Sequence, residues 1–186
     1  DDPESHYWTQ EQWSGLSPLH AGVIRANATF LGRVLIGPAR AMSTFLMREA
    51  RAVWRGEPPH RRIWAGHALQ LIVVLAWLVP VCGVDPLLYF VAVVYPATAL
   101  MLVRSFAEHR AESEVDERTA IVENAPVFGL LFLYNNLHVV HHDNPTMPWY
   151  EIPAWYRAHR ERLIRENGGL VYDGYWDVAR RYFLTE

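Results

Sequence analysis

The densest chemistry in the chain lies in Asn135-Asn136-Leu137-His138-Val139-Val140-His141-His142. Residues at i, i+3 and i+4 share one face of a helix. At 100° per residue from His138, His141 falls at about 300° and His142 at about 40°, so the three imidazoles can converge on one centre. Imidazole nitrogens suit zinc, copper, iron and nickel, and this spacing predicts a metal site. Tyr134 and Asn135 flank the same face and are expected to orient the rings by hydrogen bonding. Asp143-Asn144-Pro145 and Pro148 then stop the helix, which puts the ligands on its last turn.

Other chemistries find little material. Cys82 is the one cysteine, which excludes a disulfide framework and a thiolate metal site. There is no phosphate-binding glycine loop and no G-x-S-x-G elbow. Lys and Arg number 17 against 20 Asp and Glu, a formal net charge of −3, which excludes a nucleic-acid binder driven by bulk electrostatics. Repeats and low-complexity tracts are missing too.

The elements that must position the histidines are strongly apolar. Hydrophobic residues make up 51% of the chain and charged ones only 20%, and the segregation is sharper than the average. Between Ala68 and Val103 the one charged residue is Asp85, inside the turn signal Cys82-Gly83-Val84-Asp85-Pro86. Ile63 to Gly83 and Pro86 to Val103 would each span about 27 to 32 Å as helices, close to the hydrocarbon thickness of a bilayer. They predict a transmembrane hairpin over residues 63–103. Arg51, Arg55, Arg61 and Arg62 precede it and Arg104 follows, which places both open ends in the cytoplasm. From Arg40 to Arg55, Met42, Phe45, Leu46, Ala50, Val53 and Trp54 lie opposite a cluster of arginines, the pattern of a helix lying in the membrane interface, with Glu49 misplaced on its apolar side. Asp1 to Pro18 is polar and predicts a loop with a turn of helix. The expected class is therefore all-α: a helical integral membrane domain with one transmembrane hairpin plus interfacial and cytoplasmic helices. It is read as a single domain, with loop and interfacial helices over residues 1–60 and a cytoplasmic metal-binding and C-terminal region over residues 104–186.

A further histidine stands where the hairpin returns, in Arg104-Ser105-Phe106-Ala107-Glu108-His109-Arg110-Ala111, 29 residues before His138. Among Glu108, Arg110 and Glu112 it looks like a solvated residue at a membrane boundary. The apolar run Ala125 to Leu133 is too short to span a bilayer and is expected to be a short helix returning His138 towards His109.

Taken together, these features resemble the membrane fatty acid desaturase superfamily, whose mark is a set of histidine boxes on the cytoplasmic side of a helical membrane domain. The final box, H-x-x-H-H, is matched by His138, His141 and His142. Its surroundings, Tyr134-Asn135-Asn136-Leu137 and the run from Pro148 to Arg157, resemble bacterial desaturases particularly closely. The resemblance implies that His109 is also a ligand, because desaturases carry one just after a membrane helix at a similar distance upstream. Ser105 departs from the Asn that acyl-CoA desaturases carry four residues before this histidine. A larger departure concerns two earlier boxes, H-x(3–4)-H and H-x-x-H-H, which this sequence lacks. His6, His20, His60 and His67 are scattered singly, and His159 lies outside the box spacing, so these five are not expected to be ligands.

The resemblance implies O₂-dependent desaturation of a fatty acyl lipid or acyl thioester at a histidine-ligated pair of non-haem irons, in a bacterial inner membrane with the metal site on its cytoplasmic side. Four imidazoles cannot complete a two-iron site, so the chain is expected to be the C-terminal portion of a longer enzyme and inactive alone. A hydroxylase or ketolase of the same superfamily, acting on a carotenoid, sterol or alkane, uses the same boxes and is the alternative reading. A non-catalytic membrane protein is the other. Electrons would come from a carrier such as ferredoxin or cytochrome b5. Arg157, Arg160, Arg162 and Arg165, within nine residues of a helical-looking stretch, suit either docking of such an acidic donor or a cytoplasmic helix resting on anionic headgroups.

The hairpin predicts opposite accessibility for its turn and its open ends. In sealed membranes Cys82 should label from one side with an impermeant thiol reagent, and a cysteine placed by Glu114→Cys from the other. Labelling of both from the same side would sink the hairpin.

Overall fold

A computed structural model describes residues 8–110, 112, 114 and 116–185 of the chain. In order, the elements are α1 (Gln10–Ser14), α2 (Pro18–Ala28), α3 (Phe30–Leu35), α4 (Gly37–Arg55), α5 (Pro58–Leu78) and α6 (Pro86–Tyr89). After a π-helical segment (Phe90–Val94) come α7 (Tyr95–Glu108), β1 (Ile121–Glu123), α8 (Pro126–Leu131), α9 (His138–Asp143), α10 (Ile152–Glu166), β2 (Val171–Asp173) and α11 (Gly174–Arg181). The all-α class holds, with one small addition. β1 and β2 pair in parallel, Ile121 opposite Val171, Val122 opposite Tyr172 and Glu123 opposite Asp173. The expected loop before Pro18 includes α1, opened by a capping box between Thr9 and Gln12. The part of that reading before Trp8 lies outside the described residues.

Residues 34–100 form one unit. α4 ends at Gly56, whose φ of 80° supplies the left-handed cap that turns the chain into α5. Glu49, misplaced on a purely interfacial helix, has a partner here. Its Oε2 accepts from His60 Nδ1 at 2.7 Å and from Trp64 Nε1 at 3.1 Å, both on α5. Those bonds hold the Glu49 carboxyl below its ordinary pKa, the His60 bond most of all. The side chain is thus a clasp between α4 and α5.

The arms of the expected hairpin differ in length from the sequence expectation. Among the described residues one helix, Pro86–Glu108, is long and apolar enough to cross a bilayer, with a mean hydropathy of 2.0 in its best window. It extends past the expected end at Val103. Pro96 has no N–H and crowds the carbonyl four residues earlier; the chain answers with the π-turn, in which Tyr95 N–H reaches the carbonyl of Phe90. α5 stops at Leu78 rather than Gly83, because the stretch around Pro80 leaves the helix in turns that end on Gly83, at φ 65°. Asp85 then caps the next helix through Leu88 N–H at 2.8 Å. Ile63, Leu69, Ile72 and Val73 on α5, and Leu87, Leu88 and Val91 on the second arm, are exposed. Apolar surface of this extent marks contact with lipid or protein.

Residues 1–33 and 101–186 form the other unit. Its core gathers Ile121 of β1, Leu137, Val139 and Val140 around the start of α9, and Ile152, Tyr156 and Leu163 of α10. Gly32 is forced by packing: a Cβ there would lie 1.7 Å from the Ala26 carbonyl oxygen, so α2 and α3 meet only through a bare backbone. α10 ends at Asn167, which is 1% exposed. Its Nδ2 donates to the carbonyls of Thr119 (3.1 Å) and Leu170 (3.0 Å), and its Oδ1 accepts from Gly169 N–H (3.2 Å). One amide therefore ties the end of α10 to the approaches of both strands.

Removing that amide takes the side-chain donor from the Thr119 carbonyl and one bond each from Leu170 and Gly169, which keep Ile121 N–H and the Ile164 carbonyl as partners. Asn167→Ala is expected to destabilise this unit by about 1–3 kcal/mol, read as a lower unfolding midpoint in detergent. A change below about 0.5 kcal/mol, the range of ordinary surface substitutions, would show that the clasp is redundant.

Candidate metal centre

α9 is six residues long, too short to be stable by itself, and is held by what its other face buries. Val140 is fully buried and Val139 nearly so, which fixes the turn on Ile121, Ile152 and Leu163. His138 is carried inward with them at 5% exposure, while His141 and His142 remain exposed.

The helix does not extend upstream, so Tyr134 and Asn135 do not flank its histidine face as a continuous helix would have placed them. Leu133 and Tyr134 adopt φ of 52° and 57°, and the chain there is drawn to β1 instead. Val122 N–H donates to the Asn136 carbonyl at 2.8 Å and Asn136 Nδ2 to the Val122 carbonyl at 2.7 Å. Tyr134 stacks on Trp149. Asn135 Nδ2 donates to Glu108 Oε1 at 3.0 Å.

His109 follows the last turn of α7 and is fixed by backbone. It forms an antiparallel bridge with Thr119, flanked by bonds from Ala120 N–H to the Glu108 carbonyl and from Arg110 N–H to the Arg118 carbonyl. This brings its ring to 4.5 Å from that of His138 and 5.8 Å from that of His142, centroid to centroid. His138 Nε2 and His142 Nε2 lie 3.0 Å apart. One ring nitrogen from each of His109, His138 and His142 falls within 4.8 Å of the others. His141 stands next to this group, its ring 5.6 Å from His138 and 5.9 Å from His142, but outside it.

The donor set fits a divalent ion. Ligand nitrogens sit about 2.0–2.1 Å from such a metal, so two adjacent ones are about 3 Å apart, the separation His138 and His142 already have. Burial, then the nearby imidazoles of His109 and His142, push the His138 pKa down to about 2. It is therefore neutral at ordinary pH, the form that ligates. Glu108 sits fully buried between Arg104, whose Nε is 3.4 Å from Oε1, and His138, whose Nδ1 is 3.9 Å from Oε2. In sequence it looks like one more boundary charge; its place four residues after Arg104 on one helix was the available signal.

The remaining histidines have other neighbours. His20 meets Trp8, His60 bonds Glu49, His67 stands edge-on to Trp64, and His159 stacks on Trp155 at 4.2 Å. His6 lies outside the described residues. Of the four arginines on α10, Arg160 makes a two-pronged pair with Glu123 and Arg162 bonds both Asp143 and Glu166.

A family model described as fatty acid desaturase matches residues 1–176 of the chain. No curated protein and no solved structure matches it.

Three imidazoles in this arrangement should bind Co²⁺ in the detergent-purified chain at about one ion per chain, seen by visible absorption. His109→Ala, His138→Ala and His142→Ala should each weaken binding by more than about 100-fold, since loss of a ligand outweighs loss of an outer partner. His159→Ala should stay within about twofold. Parent-like binding by His142→Ala would remove the cluster as a metal site.

Proposed function

Because the chain belongs to the fatty acid desaturase family, we propose that it takes part in O₂-dependent desaturation of a fatty acyl chain, with its histidines holding non-haem iron. The observation that carries this reading is the convergence of His109, 29 residues upstream, on the box histidines His138 and His142. The family implies an oxidoreductase that acts on a fatty acyl substrate at a membrane.

In this reading His109, His138 and His142 hold one iron, and His141, exposed on the same turn, serves a second whose other ligands lie outside these four histidines. Iron bound there supplies the oxidising power for which no protein side chain suffices. The overall balance is fixed: a –CH₂–CH₂– unit loses two hydrogens, O₂ takes them with two further protons and two electrons from a reduced carrier, and two waters leave. The chain's own contribution is placement. The buried His138 fixes one donor before any metal arrives, and the exposed box face leaves room for the substrate and for O₂. The carrier is an acidic protein such as ferredoxin or cytochrome b5, which meets the cytoplasmic side of a bacterial inner membrane. With Arg160 and Arg162 engaged in ion pairs, Arg157 and Arg165 are the α10 arginines best placed to serve it.

Replacing His142 by Ala in the chromosomal gene tests the reading in the native membrane. Gas chromatography of total fatty acyl chains should show one unsaturated species falling by more than about 100-fold. An unchanged acyl profile would overturn the proposal, and loss of a hydroxylated or keto product in its place would move the chain to the hydroxylase branch of the superfamily.

A further inference from the structure

We propose that Glu108 is a positioning residue for the metal centre: its carboxylate fixes the buried His138 as the Nδ1–H tautomer and so keeps Nε2 bare for the ion. This rests on reading the histidine cluster as a metal site and adds a residue that is not a ligand.

The geometry is two-sided. His138 turns Nε2 towards His142 at 3.0 Å and Nδ1 towards Glu108 Oε2 at 3.9 Å. A neutral imidazole carries one proton and must place it on one of these nitrogens. The carboxylate beside Nδ1 favours that position, which makes Nε2 the acceptor in its contact with His142. In metal sites the nitrogen that does not ligate commonly donates to a carboxylate, and such partners set both ring orientation and affinity.

Glu108 is itself held in place. It is 0% exposed, and a buried carboxylate is tolerated only where fixed partners face it. Arg104, one turn earlier on α7, and Asn135, just before α9, both address Oε1, at 3.4 Å and 3.0 Å. Oε2 is thereby turned to His138. Its backbone carbonyl accepts from Ala120 N–H at 2.8 Å. The next residue is His109, so one helix end carries a ligand and the group that orients another ligand. Asn135, expected from sequence to orient a ring, does so through this carboxylate.

The test uses Co²⁺ and the detergent-purified chain. Glu108→Gln keeps the size and the acceptor for Asn135 but presents an N–H to Nδ1, which drives the proton to Nε2. Co²⁺ affinity should fall by about 10–100-fold while the far-ultraviolet spectrum and unfolding midpoint of the metal-free protein hold. Glu108→Asp, which keeps the charge, should recover part of the loss, and Asn135→Ala, which releases Oε1, should show a smaller loss than Gln. Affinity within twofold of the parent for Glu108→Gln would overturn the proposal. Should that variant unfold, nitrogen NMR of the metal-free parent decides: His138 as the Nδ1–H tautomer upholds the proposal and the Nε2–H tautomer ends it. His142→Ala separates the two levels. If it loses Co²⁺ and Glu108→Gln does not, only the role of Glu108 fails; if it binds like the parent, the metal reading fails first.

Discussion

Three residues of extended backbone hold the histidine cluster together. Ala120 N–H, at the doorstep of β1, bonds the carbonyl of Glu108 and so pins the end of α7 beside His109. Two residues on, Val122 exchanges bonds with Asn136, backbone to backbone and side chain to backbone, and so pins the chain just before His138. Between them Ile121 N–H bonds the Leu170 carbonyl and its fully buried side chain enters the core that supports α9. Neither α9, at six residues, nor the end of α7 could fix an imaginary metal position by itself, since short helices are marginal without packing. A strand this short is likewise unstable alone. It persists because β2, Asn167 and Asn136 each satisfy part of it, and the cluster inherits that shared stability.

The approach of His138 and His142 was legible because helical spacing is local and an i, i+4 pair delivers it, whereas His141, expected on the same centre, stands outside the group. His109 was legible through family resemblance alone; nothing local separates it from a solvated residue, because the antiparallel bridge to Thr119 that aims it is set by tertiary contacts. The same limit hid Glu108. The apolar pattern located two helices but misjudged their ends: Pro80 and Gly83 stop α5 early, which leaves one helix, Pro86–Glu108, long and apolar enough to span among the described residues, and Pro96 is absorbed by a π-turn rather than ending it. Tyr134 and Asn135 were assigned to a helix by extending its period backwards, and the competing pull of β1 on Asn136 won. Glu49 looked like a fault in an amphipathic pattern and proved to be a hydrogen-bond acceptor for His60 and Trp64, partners a helical wheel of α4 does not include.

Charge tells a similar story on α10. As a sequence, four arginines in nine residues suggest a field available for a partner. In the fold Arg160 grips Glu123, which also accepts from Tyr156 Oη at 2.6 Å, and Arg162 links Asp143 at the end of the histidine helix to Glu166. These contacts lower the Glu123 pKa, Arg160 being the main cause. Two of the arginines therefore serve the packing of α10 on β1 and α9, and the charge field read from the sequence is reduced accordingly.

Burial divides the cluster into parts with different duties. His138 is desolvated, neutral and set between a carboxylate on one nitrogen and an imidazole on the other, so its orientation does not depend on an ion being present. His142 and His141 stand in the open on the same turn. A site made only of exposed histidines would lose rotamer freedom each time it bound an ion, whereas one made only of buried ones would close the ion off from solvent. Anchoring one imidazole in the core and leaving its neighbours at the surface meets both demands with a single turn of helix, which is why the residues with least apparent chemistry, Val139 and Val140, are the ones that aim the rest.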